Sequence, residues 1–280
     1  MIRLCTSHVQ DRSPQDRSLL LPDAIVDLSD RIRIGSQTAK DGFRNEALVV
    51  DRFNGWKTDE TAQAWLLIMG YAVQDIEWVR AAAIPGSFKA DVQVQVTIKL
   101  TGVLGVENLQ VKLVSQKTGF NQIDKRWLKS YAELWDMPEE IVTLFRRFTG
   151  EIPPAVPTRD PRRMFADEFT AEERNQLVQF LHNHQTLIVS DILKGRGKFS
   201  AEWFLVILRT NLTEAWALKP INYVLNFFGN GEIEVTTRGS FRIGRITLQR
   251  KGGDGGRNTA NMLQFKINPA LLIVPETHES

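Results

Sequence analysis

An α/β fold is the architecture this chain predicts, and three observations predict it. Two stretches, Asp91 to Ile98 and Leu109 to Val114, alternate between polar and apolar residues, which is the period of a half-buried strand. Other stretches carry apolar residues at helical spacing behind a cap, as after Thr170-Ala171-Glu172-Glu173. The two kinds of segment follow one another along the chain, the pattern of strands packed on helices.

Composition sets the outer bounds. A chain of 280 residues with 42% hydrophobic and 24% charged content is that of an ordinary globular protein, with room for one large domain or two small ones. The net charge of +2 does not demand a polyanionic partner, so a nucleic-acid argument must rest on where charge sits. From Arg238 to Lys266 there are seven basic residues against one acid, Asp254, and from Lys112 to Lys129 five against one, Asp124. Such local excess points to one basic face. The single cysteine, Cys5, excludes an internal disulfide and a cysteine zinc site within one chain. His182 and His184 read as a solvated helix end rather than a ligand pair. No run of about 18 apolar residues and no secretory leader is visible, so the expectation is a cytoplasmic protein with no membrane partner.

Taken in order, residues 1–33 show no sustained period and read as a poorly ordered extension, or as one with a short helix near Pro22 to Leu28. Phe43, Ala47, Val50 and Phe53 predict a helix over 41–53, and a second runs from Thr58 to Met69, stopped by Gly70. A segment through Val79 to Ile84 leads to the turn signal Pro85-Gly86 and then to the first alternating strand. Thr101 to Glu107 reverses the chain, making 91–114 a hairpin. Asn121 is a plausible cap for a helix over Ile123 to Leu134, and another helix spans Pro138 to Phe148. Four prolines within Glu151 to Arg163 mark a linker or surface crossover. The helix opened by Thr170 ends near His182. Leu187 to Leu193, Trp203 to Leu208 and Trp216 to Leu218 read as strands, and Ile221 to Phe228 as a helix closed by Gly229. Two basic strands, Phe241 to Arg250 and Met262 to Ile267, flank a glycine-rich loop. The seven tryptophans read as packing residues rather than base-stacking platforms.

The hairpin carries the chemistry. Side chains two apart share a strand face, so Asp91, Gln93 and Gln95 lie opposite Val92, Val94 and Val96, while Gln110 and Lys112 lie opposite Leu109, Val111 and Leu113. Paired, the two strands bring Asp91, Gln110 and Lys112 together. Phosphodiester hydrolysis needs a deprotonated water, a stabilised phosphorane and a neutralised leaving oxygen, which divalent cations serve. Mg²⁺ takes hard oxygen ligands. Asp91 is the first of these, the Gln110 amide oxygen a second and the Val111 carbonyl a third. Lys112 is placed to polarise the water and screen the transition state, and Glu46 on the first helix is a further carboxylate. An Asp followed nineteen residues later by Gln-x-Lys also suits solvated strand residues.

Longer strings narrow the choice. The Asp, Gln-x-Lys arrangement resembles the PD-(D/E)xK nucleases. Lys40 to Glu46, Gln110 to Ser115, Gly119 to Lys125, Arg162 to Phe165, Asp191 to Gly197, Gln249 to Asp254 and Asn261 to Lys266 together resemble the HinP-type type II restriction endonucleases that cut GCGC, with MspI a more distant relative. The resemblance runs from about Gly35 to Pro269. It implies one nuclease domain over 34–280 with a mixed central sheet flanked by helices, and Mg²⁺-dependent cleavage of double-stranded DNA leaving a short 5′ overhang. It also implies a monomer or weak homodimer, and a cognate cytosine methyltransferase as functional partner rather than bound subunit. It places Asp91, Gln110 and Lys112 at the catalytic positions, where Gln110 replaces the usual second acid and removes one negative charge from the metal site.

A GCGC site offers guanine acceptors and cytosine amino donors in the major groove. Both partners for it lie in the basic tail, 238–267: Gln249, Arg250, Lys251, Asp254, Arg257 and Asn258 surround four glycines. In the loop after the catalytic strand, Phe120 and Gln122 are placed to wedge at a base step, Phe120 alternatively packing under its own loop, while Lys117, Asn121 and Lys125 reach base edges or phosphates. Lys194 and Arg196, alternating with glycine, suit phosphate contacts. The competing readings are a catalytically inactive DNA-binding protein, invited by Gln110, and a repair nuclease on the same fold.

Overall fold

The computed structural model describes residues 46–84, 93–253 and 257–273. The N-terminal extension, Lys40 to Asn45, Asp91 and Asp254 lie outside the described residues. Two helices open the described chain, α1 over 46–54 and α2 (Glu60–Ile68). Asp59, one residue beyond the expected start, caps α2 by accepting from the Ala62 amide at 2.9 Å, which satisfies one of the amides that a helix start leaves without a partner.

Two five-stranded sheets follow. The first has the order β1 (Ile76–Ala83), β2 (Gln93–Leu100), β3 (Val103–Val114), β5 (Trp203–Arg209) and β6 (Glu214–Pro220). It is mixed, since β3 and β5 run parallel and every other neighbour pair antiparallel. The second is antiparallel throughout, in the order β4 (Asn121–Arg126), β10 (Leu263–Ile267), β9 (Ile246–Arg250), β8 (Phe241–Ile243) and β7 (Ile233–Val235). Helices α3 (Leu128–Trp135), α4 (Glu139–Thr149), α5 (Ala171–Asn183), α6 (Gln185–Leu193) and α7 (Ile221–Gly229) connect and cover them. The expected mixed sheet flanked by helices is therefore present.

Alternation along β3 assigns the two faces of the first sheet. Leu109 and Val111 enter one core with Val96, Ile98, Leu205, Ile207 and Leu218, closed by Phe53 of α1 and Trp65 of α2. Phe204, Val206 and Leu208 enter the other core, which holds α3 to α7 and the second sheet. Gln110 and Lys112 are the register partners of Phe204 and Val206, so they share this second face. Each large apolar side chain buried in these cores contributes about 1.5–3 kcal/mol, and the polar pair occupies positions where an apolar residue would otherwise do so.

Four expectations are corrected. The hairpin turn is not seven residues long but two, Thr101-Gly102, because β3 begins at Val103 and pairs Leu104 with Lys99. The helix expected over Ile123 to Leu134 begins only at Leu128; the residues before it form β4, since pairing with β10 buries both Ile123 and Asp124 and tertiary burial overrides a local cap. Leu187 to Leu193 is the end of helix α6 rather than a strand. Its buried residues, Ile188, Val189, Ile192 and Leu193, follow helical spacing inside an apolar run that alone distinguishes neither element. The basic run Phe241 to Arg250 is divided into β8 and β9 at Gly244, whose φ is 55° and whose missing Cβ would strike the Asn230 carbonyl.

Candidate active site and DNA-reading surface

Gln110 and Lys112 are nearly sealed from solvent, at 3% and 6% exposure. A buried ammonium is tolerable only when hydrogen-bonded, and Lys112 Nζ donates to the Gln122 carbonyl at 3.1 Å. That carbonyl is available because β4 is an edge strand of its sheet, with main-chain groups on its outer side that the ladder does not use. The lysine thus joins the two sheets at the expected site. Gln93 and Gln110 are register partners in the hairpin; Asp91 lies outside the described residues.

Glu46 stands at the described start of α1, whose Val49 and Phe53 enter the core on the opposite face from Lys112. Burial pushes its carboxyl above the usual carboxylate range, and a cation beside it would offset that penalty. The donors expected from the sequence, a carboxylate, the Gln110 amide oxygen and the Val111 carbonyl, would make an all-oxygen set, which suits Mg²⁺ better than a soft metal. Among the described residues no three His, Cys, Asp or Glu side chains cluster as a ready-made metal cage.

The residues expected to read DNA fall into two groups. Phe120, 60% exposed, protrudes rather than packing under its loop, and that loop is fastened where Asn268 Nδ2 donates to the Lys117 carbonyl at 2.9 Å. Lys117 itself is exposed, as are Arg257 and Asn258, while Asn121, Gln122, Lys125, Gln249 and Lys251 are half-buried along β4, β9 and its end. Gln122 Oε1 accepts from Gln264 Nε2 at 2.6 Å, and Gln264 Oε1 accepts from Gln249 Nε2 at 3.5 Å. Three amides therefore form a row across β4, β10 and β9.

Arg250 and Arg196 are braced internally. Arg250 Nε donates to the Thr149 carbonyl at 2.7 Å and its Nη2 to Asn261 Oδ1 at 2.7 Å, which pins β9 to the end of α4. Burial and the nearby Arg162 lower its pKa, and burial with Arg250 pushes neighbouring Arg163 down to about 10. Arg196 Nε donates to Asp191 Oδ1 at 2.8 Å. Asp191 Oδ2 also accepts from Arg126 at 2.9 Å and from Trp135 Nε1 at 3.3 Å, while Asp124 accepts from Arg126 at 2.9 Å and from the Tyr131 hydroxyl at 2.6 Å. This ionic cluster anchors the turn that carries Lys194 and Arg196. Sequence reasoning missed Gln264, Asn261 and the Asp124 to Asp191 cluster. Only the Gln-x-Lys alternation at Gln264 and Lys266 offered a signal.

Residues 69–273 match the R.HinP1I restriction endonuclease family. The chain belongs to that family. Its members are type II site-specific deoxyribonucleases, and this enzyme's function is DNA cleavage. No curated protein matches the chain. Among solved structures, the crystal structure of the restriction endonuclease MspI with its cognate DNA is similar at a TM-score of 0.58 and 15% identity, over 84% of this chain and 92% of that one. The likeness places the R.HinP1I-family chain in the MspI fold. No helix among the described residues is long and apolar enough to cross a membrane.

Proposed function

We propose that this restriction endonuclease recognises GCGC in duplex DNA and cuts it in a Mg²⁺-dependent reaction, leaving a short 5′ overhang. The observation that carries the reading is the burial of Gln110 and Lys112 on one face of β3, with the Lys112 ammonium held by a strand that also bears reading residues. Asp91, Gln110 and the Val111 carbonyl would hold the cation, with Glu46 as an additional carboxylate. Bound there, it would supply charge neutralisation for the phosphorane and the leaving 3′ oxygen. Lys112 orients the attacking water and screens the developing charge, an effect strengthened by its dry surroundings.

Cytosine amino groups and guanine acceptors are met from β9 and its loop by Gln249, Lys251, Asp254, Arg257 and Asn258, with Arg250 fixing the strand. Phe120 and Gln122 press on a base step, and Lys117, Asn121, Lys125, Lys194 and Arg196 position the backbone. In this reading the protein is cytoplasmic, works as a monomer or weak homodimer, and is accompanied by a cytosine methyltransferase that protects the host's own sites. Duplexes containing GCGC, or a single base-pair change within it, test the proposal with Mg²⁺ and with EDTA. Cleavage of GCGC alone, and only with metal, is expected. Equal cutting of all duplexes, or cutting in EDTA, would contradict it.

A further inference from the structure

We propose that Gln264, buried in β10, is a positioning residue that couples base reading on β9 to the lysine on β3. The inference rests on the nuclease reading above and adds to it a residue to which that reading gives no contact with base or phosphate. Gln264 is 6% exposed between Leu263 and Phe265, both wholly buried. A glutamine at such a position is stable only when both ends of its amide are bonded, since a buried amide left without a partner costs about 1–3 kcal/mol.

Both ends are used, toward different strands. Nε2 donates to Gln122 Oε1 on β4, and Oε1 accepts from Gln249 Nε2 on β9. The register of β10 on β4 shifts between Phe265 and Lys266, opposite Asp124 and Gln122, and such a bulge re-aims the groups beside it. At that point the Gln122 carbonyl receives the Lys112 ammonium. A continuous path therefore runs from Gln249 through Gln264 and Gln122 to Lys112. Gln249 Nε2 gives one of its two hydrogens to Gln264, which turns its Oε1 away from Gln264 as an acceptor suited to an exocyclic amino group such as that of cytosine. A wrong base that displaces Gln249 disturbs Gln264, then Gln122, then the seat of the lysine.

The test uses the full chain, its Gln264→Leu variant and its Gln264→Glu variant. Measured are single-turnover cleavage of GCGC and of singly substituted duplexes with Mg²⁺, binding of GCGC in EDTA, and thermal melting. With Gln264→Leu, cleavage of GCGC should slow by about tenfold and the preference for GCGC over substituted sites should fall by about tenfold. Binding in EDTA should move less than about threefold. Gln264→Glu retains size but opposes the Gln122 oxygen with another oxygen; it should lose cleavage and preference likewise, and it carries the test if the leucine variant does not fold. Unchanged rate and preference in a folded variant would overturn the coupling, as would rate and binding falling together with preference intact, the mark of a purely structural residue. A parent protein that does not cut GCGC would overturn the specificity reading and the coupling with it; a parent that cuts beside an unaffected variant overturns the coupling alone.

Discussion

Two polar clusters share strand β4 and are built of opposite materials. Around Gln122 are neutral amides and one ammonium; around Asp124 are two carboxylates bound to the guanidiniums of Arg126 and Arg196, a phenol and an indole. Buried charges are stable only when paired and hydrogen-bonded, and here they are spent on one another, fastening β4 to α3 and α6. Burial, with Asp124 beside it, raises the Tyr131 hydroxyl well above its ordinary range and keeps it a donor. An amide row rearranges at roughly 1 kcal/mol per bond and connects β9 and β10 to the lysine. The difference teaches that one strand carries both a fixed anchor and an adjustable coupling, distinguished by whether the groups are charged.

The comparison breaks most visibly at the chemistry. Asp91→Ala and Gln110→Leu should each lower single-turnover cleavage by at least about 100-fold while leaving melting near that of the parent, because the proposed mechanism places both at the reacting phosphate. Asp191→Ala should do the reverse. It leaves Arg126 and Arg196 without their shared carboxylate and should cost about 3 kcal/mol, lowering the melting temperature by roughly 6–12 °C, with cleavage per folded molecule changed far less.

Smaller effects sharpen the boundary between the clusters. Gly150 ends α4 at φ 85°, and an added Cβ would lie 2.7 Å from the Arg162 carbonyl. Its own carbonyl accepts from Asn261, which also holds Arg250. Gly150→Ala should therefore destabilise by about 1–2 kcal/mol and loosen β9, visible as faster amide hydrogen exchange in 246–250. The smallest effect concerns acid. Asp160 is held down at about 2, first by the side-chain bond from Arg162. A depressed carboxyl contributes stability above its ordinary pKa and loses it as pH falls toward 2. Asp160→Asn should flatten that part of the acid melting profile slightly, the pair being exposed to solvent, whereas Gln264→Leu should leave the profile's shape unchanged because amides do not titrate in this range.

Legibility in the sequence followed period. Residues 93–114 were readable as a hairpin because alternation is unambiguous when one face is buried, and the same alternation placed Gln110 with Lys112. The capping box at Thr170 and Glu173 was equally plain, and the structure contains both of its bonds. Residues 187–193 were not readable, since a continuous apolar run suits a buried strand and a buried helix alike. Nor was β4: its pairing with β10, some 140 positions away, leaves no local trace, and Asp124 reads as a helix-surface acid until Arg126 and Tyr131 are seen around it. Gln264 shared only the Gln-x-Lys alternation with the catalytic strand; its bonds were hidden, because its partners lie on two other strands.

Lys112 carries the central claim, that the face of β3 it shares with Gln110 performs the cleavage. The most direct measurement compares the Lys112→Ala variant with the parent for single-turnover cleavage of a GCGC duplex in Mg²⁺ and for binding of the same duplex in EDTA. A loss of at least about 100-fold in cleavage, with binding and melting retained, is the predicted result. Cleavage at the parental rate by a folded Lys112→Ala protein would contradict the account.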